Sequence, residues 1–132
     1  MNAANGKVMS DKKSFKLMIV DDSNIMRRRI ERSNQFDELE LVGTASNGLE
    51  AIDMFKKMDP DVVTMDLTMP QMDGIECISK LVVLKPAVRI LVISALADKA
   101  TAVEAMEKGA NGFLNKPFTD RQLNEAIADL MR

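Results

Sequence analysis

The amino-acid sequence predicts a single α/β domain in which five parallel strands alternate with five helices. Short apolar runs end abruptly in polar residues, a pattern typical of strands that are covered on both faces of a sheet. Between these runs, apolar residues recur at the spacing of amphipathic helices. The chain has 132 residues, the size of one compact domain, and 46% of them are apolar, which is enough to cover both faces of a sheet.

The strands are predicted from continuous apolar character. Residues 16–20, 62–66 and 89–94 are predominantly apolar without alternation, as buried parallel strands are, and residues 39–45 and 112–115 complete the set of five. Residues 1–14 show little periodicity and are predicted to form a flexible N-terminal tail. Residues 15–132 are then the folded domain.

Helical patterns follow the strands in turn, over residues 23–34, 47–58, 74–84, 98–108 and 119–131. Asn47 with Glu50, and Thr119 with Gln122, have the spacing of capping boxes at helix starts, and Gly109 lies where a left-handed C-cap belongs. Because strand–helix–strand connections are right-handed, this alternation predicts helices on both faces of a parallel sheet. Ligands of such folds bind at the carboxyl ends of the strands.

The composition excludes several classes of function. With 18 basic and 20 acidic residues the net charge is −2, so direct nucleic-acid binding is not expected. The absence of His excludes Ser-His-Asp triads and His-ligated catalytic metals, and the single Cys77 excludes an internal disulfide or a structural zinc cluster. No apolar run approaches the roughly 20 residues of a membrane span, so a cytoplasmic protein without membrane insertion is expected.

Polar side chains follow the predicted strands at their carboxyl ends. Asp21 and Asp22 follow the first strand, Asp66 ends the third, Ser94 the fourth, and Lys116 comes after the fifth. These ends converge on one rim of a parallel sheet, so the five side chains are expected to share a cleft. Each residue alone could instead cap a helix or be solvated, but three carboxylates in one cleft must take up protons or bind a cation. Mg²⁺ is the cation that oxygen ligands of this kind prefer.

The same cleft is suited to an anion. The Lys116 ammonium and the Ser94 hydroxyl are appropriate partners for phosphoryl oxygens. A carboxylate can attack a phosphorus centre and form an acyl phosphate. Asp66 stands between the Asp21-Asp22 pair and the two phosphoryl-binding side chains, and it is therefore the predicted nucleophile.

Four motifs resemble the receiver domains of bacterial response regulators. They are Val-Asp-Asp-Ser at 20–23, Met-Asp-Leu-Thr-Met-Pro-Gln-Met-Asp-Gly at 65–74, Ile-Ser-Ala at 93–95 and Asn-Lys-Pro-Phe at 115–118. The resemblance covers residues 15–132. It implies a CheY-like, flavodoxin-like fold with strand order 2-1-3-4-5, and this order rests on the family resemblance alone.

The resemblance also implies how the carboxylates divide their roles. Asp66 would be the phospho-acceptor. Asp22 and Asp66 would ligate Mg²⁺ together with the backbone carbonyl of Thr68, and Asp21 would assist through water. These assignments are carried over from the family's motif, residue by residue.

On the phosphoryl side, the resemblance implies binding by the Ser94 hydroxyl, the Ala95 backbone and Lys116. The peptide between Lys116 and Pro117 is usually cis in this family. Phe113 falls where the family carries an aromatic switch, which would turn into the space released when the Ser94 hydroxyl moves toward the phosphate. A ring that only fills the core is the alternative interpretation of Phe113.

Two further features bear on partners. Met26, Arg27 and Arg28 open the first predicted helix where the family docks its histidine kinase or phosphotransfer protein, with a solvated basic face as the alternative. Thr68 and Leu96 stand at places that modulate access of the hydrolytic water. Chemotaxis members served by a dedicated phosphatase usually have Asn and an acid there, so recognition by that phosphatase is not expected.

The resemblance thus predicts a stand-alone receiver that accepts a phosphoryl group on Asp66 from a phospho-histidine donor. It would signal to a downstream protein, such as the flagellar motor switch in chemotaxis, through the surface of its fourth helix, fifth strand and fifth helix. The receiver could be a monomer or a phosphorylation-dependent dimer. Such a domain is a switch and not a conventional enzyme, although it catalyses its own phosphorylation and dephosphorylation.

Four alternatives remain open on the sequence alone. The chain could be a receiver fragment of a larger regulator, a phosphate sink or relay intermediate, or a degenerate receiver that scaffolds partners. An aspartyl-phosphate-forming phosphatase of the haloacid dehalogenase type would carry its nucleophile in an Asp-x-Asp pattern after the first strand. The chain has Asp21, Asp22 and Ser23 there, which disfavours the phosphatase.

Overall fold

The computed structural model describes residues 14–95 and 98–132, so predictions made for residues 1–13 and for Leu96 fall outside the described part of the chain. The five predicted strands and five helices are confirmed, in strict alternation. None of the described helices could traverse a lipid bilayer, because none is both long and apolar enough. The elements are β1 (Phe15–Val20), α1 (Asn24–Ser33), β2 (Leu39–Ala45), α2 (Gly48–Met58), β3 (Val62–Met65), α3 (Gly74–Leu84), β4 (Arg89–Ser94), α4 (Lys99–Glu107), β5 (Gly112–Asn115) and α5 (Asp120–Leu130).

All strand pairs are parallel, and the strand order is β2-β1-β3-β4-β5. Both faces of the sheet are covered. Met18 and Val20 of β1 join one buried cluster with residues of α2, α3 and α4. Leu17 and Ile19 join a second cluster with residues of α1 and α5. Successive strand side chains point to opposite faces, so burial on both faces explains why the strands are apolar without alternation.

Each helix begins at a polar residue whose side chain accepts a hydrogen bond from the backbone three residues later. The capping box of Thr119 and Gln122 forms as predicted. The box predicted for Asn47 and Glu50 forms only in part, because the Glu50 carboxylate accepts its hydrogen bonds from the backbone and hydroxyl of Ser46 instead. The five helix-starting residues are Ser23, Asn47, Asp73, Asp98 and Thr119.

The predicted C-cap at Gly109 is confirmed. Gly109 has φ 121° and donates its N–H to the Met106 carbonyl, while the next residue, Ala110, donates to the Ala105 carbonyl. These two bonds complete the backbone motif that closes a helix through a residue of positive φ. A Cβ atom on Gly109 would lie 2.6 Å from Val82 Cγ2. The backbone conformation and the lack of space therefore both disfavour a residue with a side chain at this position.

A charged cluster at the amino ends of the strands lies opposite the predicted site. Lys85 Nζ donates to the Pro60 carbonyl at 3.1 Å and to Asp61 Oδ1 at 3.1 Å. Asp61 Oδ2 accepts the Lys16 backbone N–H at 2.9 Å, so β1, β3 and the α3–β4 connection are joined. Burial raises the pKa of Asp61, but the hydrogen bonds from Lys16 and Lys85 outweigh burial and hold it below the usual value.

Candidate functional site

The three predicted carboxylates lie together at the carboxyl ends of β1 and β3. One oxygen from each of Asp21, Asp22 and Asp66 lies within 4.8 Å of the others. The parallel pairing of the two strands sets this proximity, since the Asp66 N–H donates to the Val20 carbonyl at 3.0 Å. Asp21 and Asp66 are buried, with 1% and 3% of their surface exposed, whereas Asp22 is exposed. The cluster is therefore a buried acidic pocket with one carboxylate at its mouth.

Lys116 provides positive charge inside this pocket. Its ammonium donates to Asp21 Oδ2 at 2.7 Å and lies 3.7 Å from Asp66 Oδ1. The residue follows β5, and its backbone N–H donates to the Ser94 carbonyl at 3.0 Å, which links it to the end of β4. The Lys116-Pro117 peptide is cis.

Asp21 is held by contacts that the sequence did not indicate. The Ser23 N–H donates to Asp21 Oδ1 at 2.9 Å, and the guanidinium of Arg27 donates to the Asp21 carbonyl oxygen at 2.6 Å. Arg27 lies in the first turns of α1, directly after the strand that delivers Asp21, and helical side chains lean toward the N-terminus. The position of Arg27 in the sequence, six residues after Asp21 and early in a helix, is the one feature from which this contact could have been predicted.

The environment of Asp66 disfavours its charged form. Burial raises the pKa of its carboxyl group above the usual value, and the neighbouring charges of Asp21 and Asp22 act in the same direction. The Lys116 ammonium and the Thr68 N–H, which lies 3.5 Å from Asp66 Oδ1, oppose this shift without cancelling it. A bound cation would favour the ionised carboxylate. Oxygen donors without His or thiolate are the set that Mg²⁺ prefers, so the cluster fits that ion.

The loop between Asp66 and α3 folds back so that its two ends lie next to each other. The Gly74 N–H donates to the Leu67 carbonyl at 3.0 Å, and a Cβ atom on Gly74 would collide with the Asp66 carbonyl oxygen. The loop thereby brings Thr68, which is exposed, to the mouth of the pocket beside Asp22. Both residues line a cleft of about 890 Å³ that continues between α3 and α4.

The residues predicted to bind and report the phosphoryl group lie on the neighbouring strands. Ser94 is fully buried at the end of β4, which pairs with β3, and Ala95 follows it at the surface. Phe113 of β5 is half-buried and packs against the apolar cluster beneath α2, α3 and α4. The topology therefore brings Ser94 and Ala95 to the rim that carries the carboxylates, whereas Phe113 lies lower in the sheet, beside Val92 of β4.

The predicted docking residues on α1 separate into different environments. Met26 packs against the apolar cluster beneath α1 and α5, and Arg27 is engaged with Asp21. Arg28 is exposed. Ile25, which the sequence pattern did not single out, lies in the first turn of α1 and has 79% of its surface exposed.

Comparison with known proteins gives the family. The family model described as "Response regulator receiver domain" matches residues 17–128. The chain belongs to this family. Receiver domains of the CheY-like type are signalling switches and not conventional enzymes, and they bind Mg²⁺ at an acidic pocket.

Individual relatives of this receiver cover nearly all of it. The chemotaxis protein CheY of Listeria monocytogenes is 38% identical over 113 residues, which span 86% of this chain and 95% of that protein. A CheY of Borrelia burgdorferi, solved as a complex with CheX, BeF₃ and Mg²⁺, has a TM-score of 0.86 at 30% identity and 91% coverage of both chains. A protein-glutamate methylesterase/protein-glutamine glutaminase of Photobacterium profundum is 43% identical over 125 residues, which span 90% of this chain but 31% of that protein.

Proposed function

We propose that residues 15–132 form a receiver that accepts a phosphoryl group on Asp66 from a phospho-histidine kinase or phosphotransfer protein. The observation that carries this proposal is the position of the Asp66 carboxylate. It is buried, it lies 3.7 Å from the Lys116 ammonium, and it shares a 4.8 Å cluster with Asp21 and Asp22. A carboxylate in this setting has a cationic partner for an incoming phosphoryl group and ligands for a metal ion.

In the transfer step, an Asp66 carboxylate oxygen attacks the phosphorus atom. The new P–O bond forms as the P–N bond to the donor's imidazole breaks, and the imidazole nitrogen retains the electron pair. Asp22 and Asp66 would hold Mg²⁺ with the Thr68 backbone carbonyl, and Asp21 would act through water. When bound, Mg²⁺ neutralises negative charge on the transferring group.

Lys116 and the end of β4 complete the binding of the product. The Lys116 ammonium is within reach of both Asp21 and Asp66, so it can pass from the Asp21 carboxylate to a phosphoryl oxygen on Asp66. The Ser94 hydroxyl and the Ala95 backbone N–H donate to the remaining oxygens. Charge-assisted hydrogen bonds of this kind are the stronger class, which favours the phosphorylated arrangement.

Movement of Ser94 toward the phosphate would free space for Phe113, whose ring is half-buried, and would change the surface formed by α4, β5 and α5. Val103 and Met106 give α4 an exposed apolar portion for a downstream protein. Similarity to chemotaxis CheY proteins supports the flagellar motor switch as that target and a cytoplasmic two-component pathway. The same surface could pair two phosphorylated copies.

The phosphoryl donor would dock on α1, next to the exposed Asp22. Arg28 and Ile25 offer an exposed charge and an exposed apolar side chain there. Met26 and Arg27 support that surface from below through their contacts with the core and with Asp21.

A receiver portion of a larger regulator is the second candidate. The observation that favours it is the match to a methylesterase relative, of which the chain covers 31%. In that case the switched surface would act on an attached output domain and not on a separate protein. The chemistry at Asp66 would be the same.

The test is intact-protein mass after incubation with a small acyl phosphate, with and without Mg²⁺. We expect a Mg²⁺-dependent gain of one phosphoryl group that is absent in Asp66→Asn. Asp129→Asn is the matched control, because Asp129 is an exposed carboxylate on α5. An unchanged gain of mass in Asp66→Asn would overturn the assignment of the acceptor.

A further inference from the structure

Large apolar side chains that remain exposed among the described residues fall into three places. Ile25 lies on α1, and Val103 and Met106 lie on α4. These two places belong to the donor-docking and output surfaces of the proposed function. The third place lies on α2 and α3, which that function leaves without a role.

The third group consists of Leu49, Val83 and Leu84, with 51%, 81% and 46% of their surfaces exposed. Val83 and Leu84 line a groove of about 600 Å³ between α2 and α3, and Leu49 precedes the lining residue Ile52 by three positions on α2. Burying apolar surface of this kind is favourable by about 25 cal/mol per Å², so a groove with such flanks is suited to a protein partner. The lining residues are Ile52, Lys56, Met72, Ser79, Lys80, Val83 and Leu84.

The charge of the groove specifies the partner further. Lys56 and Lys80 line it, and none of its lining residues is acidic. Lys80 has only a 4.0 Å contact with Glu76, and both side chains are about half exposed, so this ion pair leaves the ammonium free to bind elsewhere. Carboxylates beside an apolar surface would complement the two lysines.

The groove favours a helical partner over an extended one. The main chains of α2 and α3 are hydrogen-bonded internally, and no strand edge lies between these two helices, so an extended segment would gain no backbone hydrogen bonds from them. A helix pairs its backbone internally and presents side chains alone. Each flanking helix has 11 residues, about 16 Å, which matches roughly three turns of a partner helix.

We propose that the groove between α2 and α3 is a docking site for an amphipathic helix of another protein, with Asp or Glu side chains beside its apolar stripe. The apolar stripe contacts Ile52, Val83 and Leu84, and the carboxylates bind Lys56 and Lys80. The proposal concerns a face of the molecule separate from the carboxylate pocket. It therefore stands or falls independently of phosphorylation at Asp66.

The probe is a phage-displayed library of helix-forming peptides selected against the whole chain, followed by calorimetry with the best synthetic peptide. We expect selected peptides to combine an apolar stripe with Asp or Glu. Val83→Glu should weaken the best peptide at least tenfold, and the double change of Lys56→Glu and Lys80→Glu should do the same. Val103→Glu, the same change at an exposed apolar position on α4, should alter affinity less than twofold.

Three outcomes would overturn the proposal. They are selection of no peptide, selection of peptides without carboxylates, and binding that Val103→Glu weakens as much as Val83→Glu. Acyl-phosphate labelling of Val83→Glu should match that of the unchanged chain, which separates this test from that of Asp66. Normal labelling together with lost peptide binding would support the docking site specifically.

Discussion

The ammonium of Lys116 donates a 2.7 Å hydrogen bond to Asp21 Oδ2, so the cation of the site is bound to a carboxylate that the proposed chemistry does not phosphorylate. Asp21 is almost fully buried and Lys116 is mostly buried. Breaking a buried pair by removing one partner typically costs about 3–5 kcal/mol, because the remaining charge is left uncompensated. Removal of Lys116 alone is therefore expected to destabilise the fold, apart from its role in the proposed phosphoryl binding.

Lys116→Met should accordingly lower the free energy of unfolding by about 3 kcal/mol in metal-free buffer, because two buried carboxylates lose their cation. Adding Mg²⁺ should recover much of that loss. Chemical denaturation with and without Mg²⁺ measures both effects. Arg121→Met removes an exposed cation from an ion pair on α5 and should cost less than about 0.5 kcal/mol. Equal losses in the two variants would contradict the role of Lys116.

Asp61→Asn should destabilise the fold by about 1–2 kcal/mol at neutral pH, because Lys85 and the Lys16 N–H lose a charged acceptor. The folded pKa of Asp61 is lowered, so its stabilisation is present above the ordinary value of 3.8 and is lost as the pH falls through the lowered pKa. Denaturation of both chains at neutral and acidic pH measures the difference. A difference that persists at low pH would contradict this origin.

Gly109→Ala should cost about 1–3 kcal/mol, because the residue has φ 121° and the new Cβ would meet Val82 at 2.6 Å. Gly112→Ala is the matched control. Its Cβ would lie 3.2 Å from the flexible end of Leu91, and its φ lies outside the positive range. Thermal unfolding of the two variants should show the larger loss at Gly109, and the reverse order would contradict the C-cap assignment.

Thr64→Val should stabilise the protein by about 1 kcal/mol. The Thr64 hydroxyl is buried in β3 and has no hydrogen-bond partner within the described part of the chain, while valine has the same shape without the polar atom. Thr64→Ser keeps the hydroxyl and removes a methyl group, so it should destabilise by about 1 kcal/mol. Denaturant midpoints of the three chains give the order Val, Thr, Ser if the hydroxyl is unpaired.

The strands, the helices and the grouping of polar residues at one edge of the sheet could be predicted from the sequence. Each of these features follows from a short pattern of neighbouring residues. Apolar runs that form buried strands, and polar residues that begin helices, can be recognised in the sequence without knowledge of the tertiary structure. Parallel strands bring their carboxyl ends together whatever the other side chains are, which is why Asp21, Asp66 and Lys116 could be grouped in advance.

The partners of individual charged groups could not be predicted, because each group had several possible hydrogen-bond partners within reach. The Glu50 carboxylate accepts from the backbone and hydroxyl of Ser46 and not from the Asn47 backbone, and the Arg27 guanidinium donates to the Asp21 carbonyl. Spacing along the chain does not distinguish such neighbours. The groove between α2 and α3 was missed for another reason, since exposed Val83 and Leu84 have the same residue types as the core.

Gly74 limits how this site can change over evolutionary time. Its N–H donates to the Leu67 carbonyl, and its backbone passes too close to the Asp66 carbonyl for a Cβ atom to fit, so the segment between Asp66 and α3 is anchored at both ends. Substitutions at the tip of that segment are compatible with an intact pocket, whereas an insertion or deletion would displace Thr68 from the mouth. Changes of residue in this segment should therefore be tolerated more readily than changes of its length.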